Sequence, residues 1–154
     1  MGLDMYLHAE KFVSGFDFDK EPAFQKILEA MNVSETDADK SLTVSINVGY
    51  WRKANAIHKW FVDNVQKGKD DCGLYYVSQL NLETLRSECK DALIAYKKGD
   101  KIEAENIMTP SSGFFFGSTE IDEGYADDLK QTIKIIDKVL TKFKGYSIYY
   151  QSSW

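Results

Sequence analysis

A chain of 154 residues with 44% hydrophobic and 14% aromatic content has enough apolar surface for one compact core and is short for two. Its net charge of −5, with Lys and Glu interspersed, argues against sequence-independent binding to a nucleic acid duplex, which needs a basic face. Two isolated cysteines, two histidines without HxxxH spacing and no long apolar run argue against a disulfide framework, a zinc site and a membrane partner. With no signal peptide at the start, a cytoplasmic setting is the simplest expectation.

Asp4 to Val13 alternates, with Met5, Leu7 and Ala9 on one face and Tyr6, His8 and Phe12 on the other, which predicts a first strand. Ser14-Gly15 breaks it. Glu21-Pro22 followed by Phe24, Ile27, Leu28 and Met31 predicts a helix entered through a first-turn proline, and Ser34 to Lys40 reads as a loop. Leu42, Val44, Ile46 and Val48 then alternate with polar residues as a second strand, which Gly49 is expected to end. From about Trp51 the period becomes helical, with Ala54, Ile57, Phe61 and Val65 on the apolar stripe and Trp51, Asn55, His58 and Val62 beside it.

Leu74 to Val77 is a short aromatic strand, and a helix through Leu82, Leu85, Cys89, Ala92, Leu93 and Tyr96 follows, with Ser78 or Asn81 as its N-cap. Gly99-Asp100 stops it. Met108 to Ser118 is a loop, and Tyr125, Leu129, Ile133, Ile136, Leu140 and Phe143 give the strongest amphipathic helix of the chain. Tyr146 to Gln151 closes the order β-α-β-α-β-α-loop-α-β, which predicts an α+β single domain (residues 1–154) with a mostly antiparallel or mixed sheet covered by helices.

Arg52 and Lys53 in the first turns of a helix oppose its macrodipole, so they either pair with carboxylates or act with free N–H groups to hold an anion. As solvated cations they would mean nothing further. With Trp51, Asn55 and His58 along the same edge, however, they offer an aromatic face, an amide, an imidazole and a bidentate cation, a set suited to a phosphorylated, nucleotide-like ligand. Phe114 to Phe116 between glycines, expected to alternate as an extended segment, would put Phe115 opposite its neighbours, and Phe115 or Phe116 would line a pocket or an interface. Tyr149 and Tyr150 near the end, with Trp154, raise the same two possibilities: a ligand cleft or a homo-oligomer interface, most simply a dimer. Glu120, Asp122 and Glu123 read as helix-capping acids after Ser118 or Thr119. There is no GxxxxGK[ST], GxGxxG or GxSxG, and no cofactor, metal site or catalytic set is implied.

Met1 to Leu7, the Val48 to Val62 run, Asp71-Cys72-Gly73, Ser112 to Ser118 and Tyr149 to Trp154 resemble a family of small bacteriophage proteins, mostly of unassigned activity. Members are sometimes labelled phosphoglycerate kinase, a label that this short chain without a phosphate-binding Gly-rich loop does not support. An aromatic often stands in the family where this chain has Gly124. The resemblance implies a phage origin and the host cytoplasm, and carries no catalytic residues over. The expectation that results is a non-enzymatic binder that sequesters a phosphorylated small molecule, such as a host immune signal. The alternatives are a protein-interaction module inhibiting a host enzyme or assembling with itself, and a small hydrolase or transferase using His58 as base with Glu120 or Asp122.

Overall fold

The computed structural model describes residues 2–16, 21–34 and 40–154. The elements are β1 (Asp4–Ser14), α1 (Glu21–Met31), β2 (Ser41–Arg52), α2 (Asn55–Asn64), β3 (Tyr75–Val77), α3 (Gln79–Lys97), α4 (Lys101–Ile107), α5 (Glu123–Lys142) and β4 (Ser147–Ser153). The strands form an antiparallel sheet in the order β2-β1-β4-β3, and the fold is α+β. Of the expected loop between Ser34 and Lys40, residues 35–39 lie outside the described residues.

Two compact units compose the chain, Met1–Ala9 with Asn47–Trp154, and Glu10–Ile46. In the smaller unit, Phe24 and Leu28 of α1 bury with Val13, and Ile27, Val33, Leu42 and Val44 pack half-buried around them. Met31, expected on the apolar stripe, stands at the last residue of α1 and is exposed.

The larger unit holds the main core. Met5, Leu7 and Ala9 of β1 are fully buried, as their alternation predicts. Helix α3 packs on α4 and α5, and α2 packs on α5. Ser78 and Asn81 share the cap of α3 as a reciprocal capping box, so both candidate residues take part. Register between β3 and β4 sets Tyr75 against Tyr150 and Val77 against Ile148.

Two elements differ from the expected order. Helix α4 fills part of the stretch between α3 and the long loop, because Asp100, read from the sequence as a stop, accepts from the Glu103 N–H and caps a new helix. Strand β2 does not end at Gly49 but continues through Trp51 to Arg52, and α2 starts at Asn55 instead of near Trp51. Gly49 is there for close approach. A Cβ on it would lie 2.7 Å from Ile135 Cγ2 and 3.2 Å from Leu7 Cβ, so only glycine lets α5 approach β2 at that point. Tyr50 and Trp51, both good strand formers, then extend the ladder.

Candidate functional site

Because β2 runs on to residue 52, the side chains there follow strand parity: Tyr50 and Arg52 point to solvent, while Trp51 is buried. Helix α5 fixes this end of the strand step by step. Ile135 meets Gly49, the Gln131 amide donates to the Tyr50 carbonyl at 2.8 Å, and the Trp51 indole N–H donates to Thr132 Oγ1 at 2.9 Å. One turn earlier on α5, Asp128 shares a cleft with Arg52.

Between β2 and α2 the chain turns sharply at Lys53, whose φ of 60° is in the left-handed region. Its N–H donates to the Leu3 carbonyl at 2.8 Å, and its own carbonyl receives the Asn55 N–H at 2.9 Å. Gly117, at φ 95°, lies against this turn, and a Cβ there would sit 3.1 Å from Lys53 Cβ and 3.2 Å from Lys53 O. Asn55 is buried, and its amide nitrogen donates to the carbonyls of Phe116 (3.2 Å) and Ser118 (2.8 Å). The amide thus holds the loop after Phe116 against the start of α2.

These contacts shape a cleft of about 280 Å³ lined by Arg52, Lys53, Asn55, Gly117, Glu120 and Asp128, with Asp122, Gly124 and Tyr125 at the start of α5 completing it. Helix α2 opens on it with Ala54 as N-cap, no side-chain cap and no acid in its first turn, so the positive end of its dipole is not neutralised by its own residues. Among the described residues neither Arg52 nor Lys53 forms an ion pair. Burial, reinforced by the neighbouring Asp127 and Asp122 carboxylates, pushes the Asp128 carboxyl up to about 6.

A second cleft, of about 390 Å³, is lined by His58, Asp70, Pro110, Ser112 and Phe116 among others. At its base the fully buried His58 ring lies between Tyr150 (Nδ1 to hydroxyl, 2.8 Å) and Asp70 (Nε2 to Oδ2, 3.0 Å). An ionised carboxylate only accepts, so the ring proton belongs on Nε2 and the Tyr150 hydroxyl donates to Nδ1. Burial, with the Asp70 charge adding to it, raises the Tyr150 hydroxyl well above the ordinary phenol value and keeps it a donor. The other Asp70 oxygen accepts the Trp154 indole N–H at 2.9 Å, which docks the end of β4. Tyr150 stacks on Phe61 with centroids 3.9 Å apart and planes 9° from parallel, and Phe116 meets the His58 ring edge-on at 5.3 Å.

Comparison with protein-family models, curated proteins and solved structures gives no match. Among the described residues, no group of three or more His, Cys, Asp or Glu is arranged to hold a metal ion, and no helix is long and apolar enough to cross a membrane.

Nine residues expected at the site fall into separate places. Arg52, Lys53 and Asn55 come together at the first cleft, whereas His58 and Phe116 line the second. Trp51, expected to offer an aromatic face to a ligand, and Tyr150, expected at a cleft or an interface, are 1% and 0% exposed and belong to the core, because strand parity turns both inward. Asn55 and His58, expected to bond a ligand, have the Asn55 amide N–H donors and both ring nitrogens engaged by protein. With His58 held this way and in a different cleft from Glu120 and Asp122, the contacts a His58 base would need are not made. Tyr149, on the other face of β4, is half-buried edge-on to Tyr76. The Phe run is not extended: the Phe116 N–H returns to the Gly113 carbonyl at 3.2 Å, and Phe115 at φ 68° occupies the third position of this turn. Phe114 and Phe115 are exposed as a result, and Phe116 alone of the three is buried.

Asp128 and Asp70 are cleft-lining residues that sequence patterning missed. The signal for Asp128 is its place beside the buried positions Leu129 and Thr132, at the edge of the α5 stripe. For Asp70 there is no local signal, since its partners His58 and Trp154 are 12 and 84 residues away.

Proposed function

We propose that this protein binds a phosphorylated small molecule at the cleft where β2 turns into α2, without performing chemistry on it. Arg52 and Lys53 meet the phosphate, and the open N-terminus of α2 adds its N–H dipole. The observation that carries the reading is that both cations line a concave site with no ion-pair partner among the described residues, beside a helix start that lacks its own cap or acid. In the setting that the resemblance to small phage proteins implies, the role is sequestration of a nucleotide-like host signal in the host cytoplasm. Titration calorimetry with inorganic phosphate and with GMP as probes tests it. Wild-type protein is expected to bind both, and the Arg52→Ala, Lys53→Ala double variant to lose both; no heat from either probe in wild type would overturn the reading.

Self-association is a second reading, favoured by the surface turn that shows Phe114 at 85% and Phe115 at 49% exposure, with Trp154 at 53% nearby through Phe116. Light scattering decides it. A dimer mass that becomes a monomer mass in Phe114→Ser is the expected result, and a monomer mass across a wide concentration range in wild type would reject it.

A further inference from the structure

Simple anion capture does not explain the carboxylates of the same cleft. Glu120, Asp122 and Asp128 come from the loop before α5 and from its first two turns, Arg52 from the end of β2 and Lys53 from the turn after it. Opposite charges bordering one small space ordinarily close on each other. Here none does: among the described residues no ion pair joins the two cations to the three acids. The cause lies in the backbone, since Trp51–Thr132 and Gln131–Tyr50 fix β2 against α5 while Asn55 and Gly117 fix the loop against Lys53. Asp122 is engaged as the cap of α5 through the Tyr125 N–H. Asp128 is different. The residue is half-buried and lines the cleft, and its carboxylate has no hydrogen-bond partner among the described residues.

We propose that Asp128 determines specificity in this cleft, and that the ligand carries, besides its phosphate, two adjacent N–H donors of the kind guanine presents. This rests on the phosphate-binding reading above. A carboxylate has two acceptor oxygens and no donor, so its best partner is a pair of parallel N–H groups. Among the common bases guanine alone places a ring N–H beside an exocyclic amine, whereas adenine and cytosine set an acceptor nitrogen beside theirs. Hypoxanthine has the ring N–H without the amine. The raised Asp128 carboxyl, whose first cause is burial, is what a carboxylate left without such donors shows. At about 280 Å³ the cleft is just below the usual ligand-pocket range, which begins at about 300 Å³, so it has room for one heterocycle only with its phosphate at the open mouth.

The experiment is calorimetric titration of the intact protein with GMP, IMP and inorganic phosphate, repeated on Asp128→Asn and Arg52→Ala. Wild type is expected to bind GMP about ten- to hundredfold more tightly than IMP, the effect of one hydrogen bond to a charged group. Asp128→Asn brings the two within about threefold of each other while leaving inorganic phosphate binding in place. Equal binding of GMP and IMP by wild type, or a preference that survives in Asp128→Asn, overturns the assignment. So does binding of inorganic phosphate alone. In those outcomes Arg52-dependent phosphate binding leaves the broader reading standing, whereas absence of binding by all three probes overturns both. Thermal melts verify that Asp128→Asn folds, and if it does not, the GMP to IMP ratio in wild type decides alone.

Discussion

The two clefts of the larger unit are built from similar side chains and end in opposite states. At His58 every polar atom of the ring has a protein partner, and the Asp70 carboxylate is shared between the ring and the Trp154 indole. At Arg52, cations and carboxylates border one space and stay apart. A buried polar group without a partner costs about 1–3 kcal/mol, so the first arrangement holds β4 to α2, whereas the exposed Arg52 and Lys53 of the second stay solvated and, on the proposed reading, are available to a phosphate. Polar residues alone therefore do not make a candidate site; on the proposed reading, what distinguishes the Arg52 cleft is that its charges are held apart by backbone that packing has fixed elsewhere.

The strongest test of that contrast removes a ring from the satisfied cluster. Tyr150→Ala deletes the stack on Phe61 and the hydroxyl that serves His58, and is expected to cost about 3–5 kcal/mol in chemical denaturation. Asp70→Ala follows with about 1–3 kcal/mol, since it leaves the buried His58 N–H and the Trp154 indole without their acceptor. Trp154 fluorescence should report release of the strand end in that variant. If either substitution is neutral, the cluster is not the structural clasp described here.

Asp128 sharpens the comparison, because the open cleft should carry a stability cost that the clasp does not. Its folded carboxyl lies at about 6, above the ordinary aspartate value of 3.8, so the folded state holds more protons than the unfolded state between those values. The sign follows: folding is favoured below the lower value, the advantage falls as pH rises through 6, and above 6 the ionised group destabilises the fold. Asp128→Asn is thus expected to stabilise the protein above pH 6 by about 1 kcal/mol, after discounting for its partial exposure, and to make no difference below the unfolded value. Denaturation midpoints across pH measure this. A destabilised Asn variant at neutral pH would mean that the carboxylate has a structural partner.

How much of this was legible in the sequence depends on the range of the interaction. Alternation in β1, the apolar stripes of α3 and α5, and the Ser78–Asn81 cap are local patterns, and the structure has them where the residues predict. The end of β2 was misread because a glycine is ambiguous: Gly49 looks like a breaker until Ile135, 86 positions on, is seen against it. That two-residue shift changed helical spacing into strand parity, sent Trp51 into the core and turned Arg52 outward. Arg52, Lys53 and Asn55 still line one cleft, since adjacency in the chain survives such a shift. Asp128 and Asp70 join their sites only through tertiary packing.

The smallest expected effect on the fold is also the most informative about function. Arg52 points to solvent at the end of an edge strand and has no ion-pair partner among the described residues, so Arg52→Ala should change unfolding free energy by less than about 0.5 kcal/mol. Its effect on phosphate binding should be far larger, about ten- to hundredfold, the equivalent of roughly 1.5–3 kcal/mol for a hydrogen bond to a charged group. Arg52→Lys separates two modes of contact: it keeps the charge and loses the planar fork, so a bidentate contact weakens where a purely electrostatic one persists. Affinities at two salt concentrations complete the test, because screening weakens only the electrostatic share. If Arg52→Ala melts well below wild type while phosphate binding is unchanged, the cation belongs to the fold, and the contrast between a satisfied cluster and an open one fails at its open end.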